Sequence, residues 1–197
     1  CQMLMNEGEY KGIHYLDNTL PEWCGTLEVD GGTDLEGPKK IEFDGRNQGV
    51  YKNDKRPIKV FKGWKWKKPG FHWIKITDPV SGITAFSNPV SVVEDKPENR
   101  IFWGDPHWQT FFTDGIRCPE ELYAFARDEA FLDFGAISDH AEGLTDHQWN
   151  YFTEVTNECN QPGRFATLVG FEWTSMAWGH RNIYYRGSSG QIMRSDD

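Results

Sequence analysis

Apolar and polar residues alternate at every second position through much of the first hundred residues, after which the period lengthens. The alternating stretches are short: "TLEVDGG" (26–32), "KKIEFDG" (39–45), "IKVFKGWKW" (58–66) and "GFHWIKITDPVSGITAFSNPVSVVE" (70–94), separated by Gly, Pro and Asp. In the last of these, His72, Ile74 and Ile76 share one side of an extended chain, and Phe71, Trp73 and Lys75 share the other. "DPVSG" makes a turn, and Phe86, Val90 and Val92 resume on the return strand. Strands broken by turns roughly every ten residues predict a small antiparallel β-sandwich over 26–94. Residues 1–25 show little period, are punctuated by Pro21 and Gly25, and read as an N-terminal extension. The charged stretch "EDKPENR", broken by Pro97, supplies a linker at 95–100.

Beyond residue 100 the text changes to alternating strand and helix patterns. "RIFWGD" is a short apolar run that ends in polar residues. "CPEELYAFARDEA" sets Leu122, Phe125 and Ala126 at i, i+3 and i+4, with Pro119, Glu120 and Glu121 in the first turn, where a helix N-terminus favours them. "FLDFGAISDH" reads as a strand. "LTDHQWNYFTEVTNEC" reads as a second helix, with Thr145 and Gln148 as a capping box, Trp149, Phe152 and Thr156 on one face, and Pro162–Gly163 beyond its end. "RFATLVGFEWT" and "HRNIYYRG" are a third and a fourth strand. Strand–helix–strand–helix–strand is the signature of parallel βα units, so 101–197 is predicted to be a partial α/β barrel.

Each predicted strand in this half stops in ionisable residues: Asp105 and His107 in "GDPHWQT", with Gln109 and the Asp114 of "TDG" close behind; then Asp139 and His140; then Glu172; then His180. In a parallel sheet the carboxyl ends of the strands lie on one face, so residues far apart in sequence converge there. Histidine with carboxylate and no thiolate suits Zn, Mn or Fe(II). Glu172 ends an otherwise apolar strand, and a carboxylate there requires a partner or a cation, because an unpaired buried charge is costly. Glu142 stands near the same rim, where a helix-entry residue is expected. His14, His72 and His147 have no such company.

Charge and composition narrow the partners. A net charge of −9 leaves no basic footprint for nucleic acid or an anionic membrane surface as the main partner. No run approaches the roughly 18 apolar residues of a membrane span. Nine Trp, seven Tyr and thirteen Phe are many for 197 residues. The group Trp64, Trp66, Phe71 and Trp73 is expected to pack a sandwich core rather than to form a carbohydrate platform. Cys1, Cys24, Cys118 and Cys159 form no CxxC pair and no metal-ligand spacing. They suit reduced thiols, or at most one or two disulfides, and leave the compartment open between periplasm, exterior and cytoplasm.

"FWGDPHWQTFFTDG", "LDFGAISDHAE", "VGFEWT" and "GHRN", in this order, resemble the first motifs of the PHP (polymerase and histidinol phosphatase) superfamily of metal-dependent phosphoesterases. The likeness extends to its branch of unknown function, in which an N-terminal β-sandwich precedes the barrel, and it covers residues 100 to 187. The resemblance implies a distorted PHP-type (β/α)7 barrel holding two or three divalent cations. It assigns His107 to the first His of an HxH pair, Asp114 to the Asp of "SDG", His140 to the His of "DH", and Glu172 to a carboxylate that can bridge metals. His180 falls near a further His ligand. Position 109 departs from the pattern, since Gln stands where the second His belongs, and Pro106 replaces the usual Leu.

The expectation is therefore a metal-dependent hydrolase acting on a small, phosphorylated or phosphate-like substrate. His107, His140 and Glu172 would be catalytic, and His107, Gln109, Asp114, Asp139, His140, Glu172 and His180 would form the metal shell. The alternative is a non-catalytic binding or structural protein with a degenerate site, which Gln109 motivates. The resemblance also implies that a remaining C-terminal part of the barrel is needed to complete the fold.

Overall fold

A computed structural model describes residues 23–45, 60–95 and 97–196 in full, and residues 2–4 and 15–17 by their backbone alone. Cys1, His14 and positions 58–59 of the predicted third strand lie outside the described residues. Contacts divide the chain into two units, Cys1–Arg100 and Ile101–Asp197.

The first unit is β-rich and antiparallel. β1 (Gln2–Leu4) pairs with β2 (Tyr15–Asp17). β3 (Cys24–Asp30), β4 (Leu35–Glu36), β5 (Lys40–Asp44), β6 (Lys65–Trp66), β7 (Gly70–His72), β8 (Lys75–Thr77), β9 (Thr84–Phe86) and β10 (Val90–Val92) follow. A four-stranded sheet has the order β5-β3-β8-β9, while β4 pairs with β6 and β7 with β10. β3 begins at Cys24, inside the expected extension. Its alternation buries Val29 between exposed Glu28 and Asp30, and β5 buries Ile41 between exposed Lys40 and Glu42. With Leu35 these form the core, against which Leu27, Phe43, Phe61, Trp64, Trp66, Ile74 and Ile76 pack.

Three expectations for this unit need correction. The strand read over 58–66 shrinks to Lys65–Trp66 among the described residues, and both tryptophans turn inward. The Trp64 indole N–H donates to the Pro38 carbonyl at 3.0 Å and that of Trp66 to the Gly31 carbonyl at 3.2 Å. The stretch from 70 to 77 is two strands serving two sheets, with Trp73 and Ile74 between them. Of the aromatic group, Trp64 and Trp66 pack, whereas Phe71 and Trp73 are exposed, as is Phe86 on the return strand. The "DPVSG" turn forms as read. Asp78 accepts from the Val80 amide and the Ser81 hydroxyl, which hold its carboxyl below the ordinary range, and Gly82 takes the left-handed conformation.

The second unit mixes parallel and antiparallel strands. It contains β11 (Gly104–Trp108), α1 (Pro119–Asp128), β12 (Phe134–Ile137), a 3-10 turn (Ala141–Gly143), α2 (Asp146–Cys159), β13 (Ala166–Thr167), β14 (Gly170–Ser175) and β15 (Gly179–Tyr184). β11, β12 and β13 form a parallel sheet in that order, and β14 and β15 form an antiparallel hairpin. α1 begins at Pro119 with Glu120 and Glu121 in its first turn. Of the stripe expected on Leu122, Phe125 and Ala126, Ala126 is buried, together with Tyr123 and Pro119, while Leu122 and Phe125 are half-buried. The Tyr123 hydroxyl meets Thr156 of α2 at 2.9 Å and accepts from the Ile137 amide, and burial pushes its pKa up to about 12. α2 is closed by the expected capping box, the Gln148 amide donating to Thr145 Oγ1 while Gln148 Oε1 accepts from the Thr145 amide. It buries Trp149, Phe152, Val155 and Thr156. These side chains meet Ile137, Leu144, Phe165, Val169 and Phe171 in one core.

Three corrections also apply here. The first strand is Gly104–Trp108 rather than the apolar run before it; Ile101, Phe102 and Trp103 are exposed. Asp105 and His107 therefore lie within a strand, not beyond one. The stretch 164–174 splits in two, Ala166–Thr167 joining β12 and Gly170–Ser175 joining β15. The fourth strand runs antiparallel to the third, because residues 176–178 are too short a link for the dozen or so residues a parallel crossover requires. No helix of the described residues is long and apolar enough to cross a membrane. Cys118 and Cys159 are free thiols.

Candidate metal centre

Local features of each strand aim its side chains. Between Asp105 and Trp108 the β11–β12 register slips, so that two residues of β11 oppose one of β12. Pro106 has no amide hydrogen to give the ladder, and the His107 amide donates instead to Asp105 Oδ1. The Tyr184 hydroxyl donates to the Pro106 carbonyl at 2.7 Å. The bulge fixes His107, whose Nδ1 lies 2.7 Å from Ser138 Oγ. Beyond β11 the chain folds back through 109–115. A Cβ on Gly115 would stand 1.9 Å from the Gln109 carbonyl oxygen, so only glycine permits the approach that brings Asp114 toward His140.

His140 follows β12 and bridges to Glu172 of β14 in parallel register, the Glu172 amide donating to the Asp139 carbonyl at 2.9 Å. This single bridge carries the polar end of β12 to the hairpin. In the hairpin, Thr174 pairs with His180, which places the start of β15 beside the end of β14. His180 thus reaches the same rim as Glu172 although its strand runs the opposite way.

Glu172 is the centre of the group. It is 4% exposed. Its Oε1 lies 2.6 Å from His180 Nδ1, and its Oε2 lies 2.8 Å from Gln109 Nε2 and 3.7 Å from both His107 Nε2 and His140 Nδ1. No Lys or Arg pairs with it among the described residues. His140, Glu172 and His180 each offer a ligand atom, and these atoms lie within 4.8 Å of one another. Donors around one zinc ion stand about 3–4 Å apart, as bond lengths near 2.0–2.3 Å dictate. A buried anion faced by three imidazoles, with no permanent cation beside it, is a donor set that fits a divalent metal.

His140 Nε2 is the least settled atom of the cluster. Gln109 Nε2 lies 3.0 Å from it and Asp114 Oδ2 lies 3.2 Å from it. The first neighbour is a hydrogen-bond donor and the second an acceptor, and one ring nitrogen cannot satisfy both. As oriented, the Gln109 amide group sits between a ring lone pair and a carboxylate oxygen, the place a cation would take. Turned over, its Oε1 would become another ligand atom facing the same point. The two orientations are isosteric and are chosen by what lies between them.

Six of the seven expected site residues thus gather: His107, Gln109, Asp114, His140, Glu172 and His180. Asp139 does not. It is buried, and its carboxylate accepts from the Thr110 amide at 3.1 Å, the Thr110 hydroxyl at 3.0 Å and the Thr113 hydroxyl at 2.5 Å. Burial raises its pKa, against the lowering effect of those hydrogen bonds. Asp139 ties down the loop that carries Gln109 and Asp114. Glu142, read as a helix-entry residue, accepts from the Thr174 and Ser195 amides. The sequence reading passed over the residues that orient the histidines: Ser138 for His107, and Thr174, whose Oγ1 lies 2.6 Å from His140 Nδ1. Thr174 was findable, since it stands two residues after Glu172 and so shares its sheet face.

Comparison with known proteins adds a likeness but no activity. The model of a family described as a protein of unknown function (DUF3604) matches residues 119–195. That span includes His140, Glu172 and His180 and stops short of His107, Gln109 and Asp114. An uncharacterized protein of Chlamydia pneumoniae is 25% identical over 111 residues, which is 55% of this chain. The chain spans 18% of the length of that relative. No solved structure gives a significant match.

Proposed function

We propose that this chain carries the site of a metal-dependent hydrolase, phosphoesterase-like in chemistry, whose substrate is a small molecule bearing a phosphate-like bond. On this reading 26–94 is a small β-sandwich and 101–197 supplies the first βα units of a PHP-type barrel. One observation carries the reading: a nearly fully buried carboxylate, Glu172, is surrounded by His107, His140 and His180 with no Lys or Arg among the described residues to balance it. Removing a carboxylate from water without a compensating charge costs several kcal/mol, and a divalent ion of Zn, Mn or Fe type relieves that cost.

His140, Glu172 and His180 would hold the ion, with His107, Asp114 and Gln109 completing the shell. When bound, such an ion supplies Lewis acidity, lowering the pKa of water and offsetting charge on the group attacked. The chain's own residues do the rest. Ser138 and Thr174 fix the ring planes of His107 and His140, and the bulge at Pro106 holds His107 at its position. Asp139 keeps the loop closed through Thr110 and Thr113. With Glu172 ionised, His180 donates from Nδ1 and its Nε2 keeps a lone pair.

Metal analysis of the purified protein tests this. About one or more equivalents of a divalent metal are expected, falling below a tenth in His140→Ala, together with metal-dependent hydrolysis of a generic phosphoester. Metal content unchanged by that substitution would refute the assignment.

A second reading, a non-catalytic protein with a degenerate site, has its own support in the Gln109 amide lying between His140 Nε2 and Glu172 Oε2. Gln109→Ala separates the two. If Gln109 is a ligand, truncation weakens metal binding. If its amide stands in for the ion, truncation strengthens it.

A further inference from the structure

We propose that Asn182 contacts the substrate, donating a hydrogen bond from its carboxamide to a non-bridging oxygen of the phosphate-like group; the inference rests on the metal-dependent hydrolase reading above. Register provides the first argument. In the hairpin Glu172 pairs directly with Asn182, flanked by the Thr174–His180 and Gly170–Tyr184 pairs. Side chains of a directly opposed antiparallel pair lie on one face with their Cβ atoms about 4.5–5.5 Å apart. Asn182 therefore stands on the face that carries Glu172, Thr174, His180 and Tyr184. Its strand neighbours serve the other face: Arg181 lies over the Trp173 ring and Ile183 packs against the core.

The second argument is an accounting of donors. Thr174 is taken by His140, His180 by Glu172, Tyr184 by the Pro106 carbonyl, Ser138 by His107 and Gln109 by Glu172. Asn182 is exposed, and its carboxamide has no hydrogen-bond partner among the described residues. It lies beside the buried carboxylate without being recruited to it, because the four partners of Glu172 come from elsewhere.

Chemistry supplies the third. A tetrahedral oxyanion drawn to a cation at this cluster brings several oxygens, and a metal shell addresses only some of them. A neutral donor at the rim can meet one of the others without competing for the cation. A carboxylate in the same place would repel the oxyanion.

The test uses inorganic phosphate as the probe on metal-loaded protein, read by calorimetry, with metal content measured on the same samples. Asn182→Ala is expected to keep the metal and to weaken phosphate about tenfold, equivalent to about 1.4 kcal/mol. Asn182→Asp is expected to weaken it further. Unchanged phosphate affinity in both variants at unchanged metal content would overturn the proposal. So would loss of metal from Asn182→Ala, which would make Asn182 part of the metal shell, and so would failure of the metal-loaded wild type to bind millimolar phosphate. A wild-type protein that binds no metal at all would instead remove the hydrolase reading on which the proposal rests, and metal analysis shows that before any phosphate is added.

Discussion

The two units of this chain handle polarity in opposite ways. Among the described residues of the first, the buried ones are the apolar Val29, Leu35 and Ile41, while charges stay at the surface in pairs such as Lys67 with Glu36 and Lys68 with the half-buried Asp34. Large apolar side chains lie outside in both units, Phe71, Ile83 and Phe86 in the first and Phe102, Trp103 and Trp178 in the second, so the difference is one of buried polarity. In the second, Asp139 and Glu172 are buried together with Thr110, Ser138, Thr156 and Ser175, next to a much larger apolar core. Burying ionisable groups lowers stability unless each is matched. Asp139, just after β12, is matched by the loop it ties down, whereas Glu172, within β14, faces imidazoles.

The largest test of that contrast addresses the core behind the site. Phe171 is fully buried and makes edge-on contact with Trp149, one residue before Glu172. Phe171→Ala is expected to cost about 3–5 kcal/mol in urea denaturation, because the cavity lies between α2 and β14. Metal should be lost with it, as the strand that positions Glu172 loosens. A loss below about 1 kcal/mol would mean that the second unit does not depend on this core to hold its polar rim.

A sharper comparison lies between the two buried carboxylates. Asp139 is matched by an amide and two hydroxyls, Glu172 by imidazoles and one carboxamide. Asp139→Asn turns an acceptor partly into a donor facing the Thr110 amide, and is expected to cost about 1–3 kcal/mol while leaving most of the metal bound. Glu172→Gln is expected to do the reverse, abolishing metal binding with little loss of metal-free stability. Asp139 also makes stability depend on pH. Burial raises the Asp139 pKa above its ordinary 3.8, so the folded state holds that proton more tightly than the unfolded chain. Its ionisation therefore costs nothing below pH 3.8, weakens the fold as pH rises toward the higher folded value, and holds that cost constant above it. Asp139→Asn should flatten this part of the stability profile. If both variants lost metal equally, the distinction between them would fail.

Much of this contrast was legible in the sequence wherever a signal was local. The alternation at 26–32 and 39–45 shows because each strand has one buried face, and α2 shows because its cap, its face and its stop all agree. The run Ile101–Trp103 misled, since an apolar run resembles a strand whether or not anything covers it. The hairpin was readable after all: three residues between Ser175 and Gly179 exclude a parallel crossover. At the site, His140 and Glu172 stood out as polar ends of apolar strands. Nothing local separates Asp139 from Glu172, however. Threonines 26 and 29 positions before Asp139 capture it, while no such hydroxyls reach Glu172. That difference exists only in the folded chain.

A smaller effect tests the bulge that sets His107. Tyr184→Phe removes the hydroxyl that serves the Pro106 carbonyl and leaves the ring in place. The expected cost is about 0.5–1.5 kcal/mol, with weaker metal binding through a looser His107. Metal affinity unchanged at that stability cost would place His107 outside the shell.

The smallest expected change tests the first unit. Phe86 pairs across strands with Lys75 and lies 68% exposed. Its burial contributes little, so Phe86→Ser is expected to alter stability by no more than about 0.5 kcal/mol, against several for Phe171→Ala. Ile76, on the inward face of the same strand pair, packs on the core and serves as the control. Ile76→Ala should cost more than Phe86→Ser, although it removes fewer atoms. If Phe86→Ser proved the costlier, the outward face of this sheet would be covered in the folded protein.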